Sequence, residues 1–272
     1  MATVIEIEDV SDARLADYVR LTDADLRRDA GYFIAESVEV VRRLLAAPHP
    51  VRSVLVTPAR LLQLAEDLAP LDVPVYVASQ AVMNEVAGFK LHRGVVAAAG
   101  RLPEPTLEEV IQNAGTLAVL EGLNDHENLG AIFRSAGVLG IDAVLLDPTC
   151  ADPYYRRTVR VSMGAVLQLP FVRLSNWHHD LAAVGRAGFE LLALTPDHDA
   201  VSIDEIEVGP ERRWALLLGA EGPGLRPATL VLADRRVRIP MRPGFDSLNV
   251  GHAAAIAFHR LGRIPARSTT GR

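Results

Sequence analysis

Five short, nearly uninterrupted apolar runs, at 116–120, 143–146, 168–172, 190–195 and 214–218, constrain this fold more than any other feature of the sequence. Each is too short for an independent helix and lacks the polar–apolar alternation of a half-exposed strand, so each predicts a strand covered on both faces. Between them lie stretches with helical spacing: 129–139, a segment near 156–164, and 177–187. Regular alternation of strand and helix means a parallel sheet with helices on both sides, the α/β class. A helix or turn near 227–232, a short strand at 236–239 and a closing helix at 248–261 complete this half of the chain.

The preceding residues read as a smaller α/β unit. Apolar residues at Tyr32, Ala35, Val38, Val41, Leu44 and Leu45 keep a helical period until Pro48 and Pro50 end it, which predicts a helix through 32–45. Strands are expected at 53–56, 73–77 and 95–99, with helices at 59–68 and 79–86. Pro103 and Pro105 stiffen an exposed connector at 101–106. The expected domains are therefore 1–106, a candidate substrate-binding domain, and 107–265, with a flexible tail at 266–272.

Composition narrows the functional classes. With 272 residues, 49% hydrophobic and 23% charged, the chain can bury a core and falls outside the disordered regime. The single cysteine, Cys150, excludes an intramolecular disulfide and a cysteine-built zinc site. Glu6, Glu8 and Asp9 occupy the place of a basic signal region, and no apolar run reaches membrane-spanning length, so a cytoplasmic protein is expected. The net charge is −6. A polyanion must then be held by local patches such as Arg27–Arg28, Arg42–Arg43 and Arg156–Arg157.

Three loops carry the chemistry. The first, EGLNDHENLGAIFR at 121–134, joins a strand to a helix, and strand ends in open α/β sheets are where ligands bind. Asn128 stands where a helix cap is the default role. The acidic residues Glu121, Asp125 and Glu127 with His126 read as solvated loop residues, and no metal is expected. The second loop, LGAEGPGL at 218–225, has glycines at 219, 222 and 224, which let backbone approach a planar ligand closely but do not form a dinucleotide fingerprint. The third, IPMRPGFDSLNVGH at 239–252, leads into the closing helix, with Ser247 and Asn249 at capping positions and Met241 and Phe245 fit for either core or a ring-binding wall.

In order and spacing these loops resemble the three motifs of the SpoU (TrmH-like) RNA 2′-O-ribose methyltransferases of the SPOUT superfamily. RVSMGA at 160–165 is similar to the small-residue segment between the first two motifs. GYFIAE at 31–36 and HRGVVA at 92–97 resemble the small substrate-binding domain, related to the ribosomal-protein L30e fold, that many members carry. The resemblance implies an L30e-like N-terminal α/β domain and a SPOUT-type catalytic domain with a trefoil knot. It further implies S-adenosylmethionine as cofactor, ribosomal or transfer RNA as partner, and a homodimer. Matched position by position, Leu218, Gly219, Ile239, Met241 and Leu248 are the expected cofactor-binding residues, and Asn128, Arg134, Glu221, Ser247 and Asn249 the expected catalytic ones. The expected reaction is methyl transfer to a ribose 2′-hydroxyl; the alternative is an RNA-binding relative that keeps the cofactor but has lost turnover. The last motif departs from the common Ser-Leu-Asn-Val-Ser-Val by carrying Gly251 and His252, which removes a hydroxyl near the site.

Overall fold

The structure, a computed structural model, describes residues 3–19, 21, 31–209, 211–242, 244 and 247–263. Arg27–Arg28, Phe245 and the tail 266–272, singled out above, lie outside the described residues. The chain forms two compact units, Met1–Pro103 with Asp152–Gln168, and Glu104–Ala151 with Leu169–Arg272. This division departs from the expected 1–106 and 107–265 chiefly at 152–168, which sequence order assigns to the C-terminal part and which folds into the N-terminal unit.

The first unit is built on five strands, β1 (Thr3–Ile7), β2 (Tyr32–Glu36), β3 (Val51–Val56), β4 (Pro74–Ala78) and β5 (Val95–Gly100), in the order β1-β4-β3-β5-β2. The β1-β4 and β4-β3 pairs are parallel; β3-β5 and β5-β2 are antiparallel. The predicted helix through 32–45 is corrected here. Its first five residues are a strand buried along its whole length, and only Val38–Leu45 is helical. Ser37 separates the two with φ at 95°, and its side chain caps the helix.

Burial explains why β2 recruits the later segment. Tyr32 and Ile34 enter one core with Leu15, Tyr18 and Tyr76. Phe33 alternates away from them and stacks on Tyr154, with ring centroids 4.9 Å apart. The helix Arg156–Val161 then packs on β2, where Arg156 Nη1 donates to the buried Glu36 carboxylate at 2.5 Å. Arg101 grips Asp152 with both terminal nitrogens, at 3.1 and 2.5 Å. Two buried or half-buried ion pairs and a ring stack thus fix 152–168 to the first unit.

The second unit carries a seven-stranded sheet: β6 (Thr116–Glu121), β7 (Ala143–Leu146), β8 (Phe171–Arg173), β9 (Phe189–Leu194), β10 (Val201–Ser202), β11 (Arg213–Gly219) and β12 (Arg235–Arg238). The order is β10-β12-β9-β11-β6-β7-β8, and every pair is parallel, as the apolar runs predict. One face packs on the helix Trp177–Arg186 through Trp177, Leu181 and Val184. On the helix His126–Val138, Leu129, Ile132, Phe133 and Ala136 are buried; on Val250–Leu261, Ala254, Ala257, Phe258 and Leu261 are, and these two helices pack together. Among the described residues no helix is long and apolar enough to cross a membrane.

Strand order sets the position of the loops. The chain runs outward from β6 through β7 to β8, and then returns to lay β11 beside β6 on the other side. In a parallel sheet such a reversal opens a crevice at the carboxyl ends of the strands. Gly219, at the end of β11, stands in register with Glu121, at the end of β6. The first two chemical loops therefore leave the sheet side by side and at the same level.

Candidate active site

The loop after β6 enters its helix through Asp125, whose carboxylate accepts the N–H groups of Glu127 at 2.9 Å and Asn128 at 2.7 Å. This corrects the capping role expected of Asn128. Freed from capping, the buried Asn128 side chain donates from Nδ2 to Glu221 Oε2 at 3.1 Å and accepts from Asn249 Nδ2 at 2.8 Å. Asn249 also reaches Glu221 Oε1 at 3.3 Å. Each of the three loops contributes one member of this amide–carboxylate cluster.

Glu221 belongs as well to the wall of a cavity. Leu218, Gly219, Ile239, Met241, Ser247 and Leu248 line it, joined by Leu194, Thr195 and Pro196 from the end of β9. The loop 219–224 is doubled back, with Gly224 N–H donating to the Ala220 carbonyl at 2.9 Å. A Cβ at position 219 would lie 2.1 Å from the Gly224 carbonyl carbon and 2.2 Å from the Leu225 nitrogen, so only glycine permits the fold-back.

Nine of the ten expected site residues thus fall into two connected groups: seven on the cavity wall, and Asn128 and Asn249 bound to its Glu221. Arg134 does not join them. It sits on the exposed side of its helix, with no hydrogen-bond or ion-pair partner among the described residues. Six positions separate it from Asn128, and six steps of 100° turn the side chain away from the cluster.

Two features escaped the sequence reading. Thr195 ends a predicted strand and Pro196 follows it, so the rule that ligands gather at strand ends would have found them. Glu121, read as a solvated carboxylate, is 2% exposed, and Arg226 and Thr229 donate to it. Beneath the same loop Cys150 donates to the Leu120 carbonyl at 3.2 Å and accepts Leu123 N–H at 3.3 Å. Burial, reinforced by the nearby Asp147 charge, pushes this thiol up to about 12, which keeps it protonated and unreactive. Among the described residues no group of three or more His, Cys, Asp or Glu side chains is placed to hold a metal ion.

A seven-stranded parallel sheet with a crevice at its carboxyl edge, lined by a glycine loop and the start of the helix Val250–Leu261, defines a class of α/β ligand-binding domains. Within that class, residues 115–259 match the SpoU rRNA methylase family, and the chain belongs to it. An uncharacterised tRNA/rRNA methyltransferase of Mycobacterium tuberculosis is 49% identical over 261 residues, covering 94% of this chain and 91% of that protein. The 23S rRNA (guanosine-2′-O-)-methyltransferase of Acinetobacter baylyi is 32% identical over 206 residues, covering 74% of this chain and 81% of that protein. Among solved structures, an RNA 2′-O ribose methyltransferase superposes with a TM-score of 0.78 at 30% identity, covering 94% of this chain and 97% of that one. The AdoMet-bound rRNA methyltransferase of Sinorhizobium meliloti shares the fold with a TM-score of 0.81 at 24% identity, covering 94% and 97%.

Proposed function

We propose that this protein transfers a methyl group from S-adenosylmethionine to the 2′-hydroxyl of a ribose in ribosomal or transfer RNA. The observation that carries the reading is the cluster of Asn128, Glu221 and Asn249 on the wall of an otherwise largely apolar cavity.

The wall suits the cofactor. Leu194, Leu218, Ile239, Met241 and Val250 offer apolar surface for a purine, while Glu221, Thr195 and Ser247 offer oxygen atoms to a cationic donor. Main-chain groups at Gly219, Ile239 and Leu248 would hold it, with Leu218 and Met241 beside them. When bound, S-adenosylmethionine supplies a methyl already activated by a positive sulfonium.

What remains for the protein is chiefly alignment, which can lower a barrier by roughly 7–11 kcal/mol. Glu221 is held from two sides by the Asn128 and Asn249 amides, so its carboxylate has one orientation toward the cavity. Ser247, at the cavity mouth, orients the ribose. Arg134 keeps its proton, because a guanidinium pKa lies above about 12. It therefore grips the phosphate beside the target ribose and stabilises the developing alkoxide, while the proton leaves through phosphate or water.

Its exposed position on the cavity-remote side of the helix supports a homodimer in which Arg134 serves the partner's substrate. Val138 and Ile256, exposed at 71% and 44% on the same pair of helices, supply apolar surface for such an interface. The first unit is the L30e-like RNA-binding domain in this reading. The second closes as a trefoil knot; the return of the C-terminal helix onto His126–Val138 and the passage of Gly262 against the Leu139 carbonyl support it.

Incubation with tritiated S-adenosylmethionine and total RNA tests the proposal, followed by mapping of ribose methylation in cells with and without the protein. Label in RNA at a ribose 2′-oxygen is expected. Cofactor binding without transfer would overturn the reading in favour of a relative that has lost turnover.

A further inference from the structure

The glycine loop is held from behind by a carboxylate that touches no part of the cavity. Glu121 Oε2 accepts the peptide N–H of Arg226 at 2.8 Å. Its Oε1 accepts Arg226 Nε at 2.5 Å and the Thr229 hydroxyl at 2.6 Å. Arg226 Nη2 reaches on to Asp147 Oδ2 at 3.0 Å, and the Thr229 oxygen accepts the Trp177 indole N–H at 2.9 Å. Glu121 is 2% exposed and Asp147 is fully buried, so two carboxylates withdrawn from water share one guanidinium. A buried carboxylate is tolerated only when its lone pairs are filled, and here three donors fill those of Glu121.

We infer that Glu121 is a positioning residue for the cofactor loop, acting through Arg226. The inference rests on the proposed reading of 219–226 as the loop that binds S-adenosylmethionine. Register fixes one end of the loop, since Gly219 pairs with Glu121 in the sheet. The carboxylate of that same residue fixes the other end at the Arg226 peptide. No slack lies between the two, because the Gly219 α-carbon packs directly on Gly224 and Leu225. Any shift of Arg226 therefore passes to the backbone around Gly219 and to Glu221. Arg226 itself keeps half of its side chain in solvent, so its placement comes chiefly from the two carboxylates, with the Trp177 ring centroid 5.9 Å from its guanidinium carbon.

Glu121→Gln tests this, because it keeps the shape but turns one acceptor into a donor facing an N–H group. Calorimetry with S-adenosylmethionine is expected to give a dissociation constant raised about tenfold or more, as for loss of a charge-assisted hydrogen bond. Turnover at saturating cofactor should fall less than cofactor affinity does, so the larger part of the defect appears in KM. The Trp177 indole N–H resonance of ¹⁵N-labelled protein should move in the variant, reporting the change relayed through Thr229. Arg226→Lys, at a half-exposed position, provides a second variant if Glu121→Gln does not fold, with weaker cofactor binding again expected. Lowered melting temperature with unchanged cofactor affinity in both variants would overturn the inference. If the wild-type protein itself bound no cofactor, the functional reading would fall, and the inference with it.

Discussion

Asn249 donates to Asn128 at 2.8 Å across 121 positions of sequence, while its own Oδ1 accepts the N–H groups of Gly251 at 2.9 Å and His252 at 3.3 Å. One side chain thus starts the C-terminal helix and joins the polar cluster. It also accounts for the glycine that departs from the family's usual last motif. A Cβ at 251 would stand 3.2 Å from both Asn249 Oδ1 and Ala131 Cβ, so Gly251 gives the two helices room to meet. His252 is exposed and covers the helix surface.

The two duties of Asn249 can be separated. Asn249→Ser keeps an oxygen for the helix N-terminus and should be more stable than Asn249→Ala by about 0.5–2 kcal/mol. Both variants lose the amide that reaches Asn128 and Glu221, and both should lose methyl transfer. Thermal denaturation beside a tritium-transfer assay checks the pair. Serine and alanine variants equally stable, with the serine variant fully active, would contradict both assignments.

Arg134 makes the opposite prediction. Being exposed and unpaired among the described residues, it can be changed to alanine with little effect on folding or cofactor affinity, yet transfer should fall by orders of magnitude. In a homodimer with sites completed by the partner, Arg134→Ala mixed with a cofactor-deficient Gly219→Val should regain activity that neither has alone. Subunit exchange followed by assay decides; absence of any recovery would mean that Arg134 acts within its own subunit.

The parallel sheet was legible because its signal is local: apolar runs of four to six residues declare buried strands. Where neighbouring elements shared a period, the signal failed. Tyr32 and Ala35 continue the three-residue spacing of Val38 and Val41, and only the unusual backbone of Ser37 divides strand from helix. The role of Asn128 stayed ambiguous because Asp125, three residues earlier, is an equally good cap. Burial of Glu121 left no trace in sequence, since Arg226 and Thr229 lie 105 and 108 positions away. Apart from Thr195 and Pro196, the cavity wall was recoverable only through motif resemblance, as it is assembled from the ends of strands far apart in the chain.

Residues 262 and 263, after the last helix, are packed as closely as the active-site loop. A Cβ at Gly262 would lie 1.8 Å from the Leu139 carbonyl oxygen, and one at Gly140, where φ is +76°, would lie 2.2 Å from the Arg263 carbonyl oxygen. Gly262→Ala and Gly140→Ala should each destabilise by about 1–3 kcal/mol, the usual cost of overpacking. Urea denaturation measures it, and a loss below the experimental error for Gly262→Ala would argue that the chain leaves the helix by another route.

In the first unit, His49 provides a pH test. It is buried between Phe33 and Tyr154, with ring centroids 5.1 and 5.5 Å away, and Nδ1 lies 3.2 Å from the Gly100 carbonyl oxygen. Burial lowers its pKa below 6.5 and outweighs the carbonyls of Gly100 and Leu167, which act to raise it. The folded protein consequently keeps a neutral imidazole at a pH where the unfolded chain, titrating near 6.5, has already taken up a proton. With more protons on the unfolded state, stability rises with pH through this region and falls as pH drops below about 6.5. His49→Gln cannot take the proton and can still meet Gly100, so its unfolding free energy should decline less between about pH 7 and pH 5 than that of the wild type. Parallel slopes for the two proteins in denaturant titrations across that window would mean that His49 is charged in the folded state.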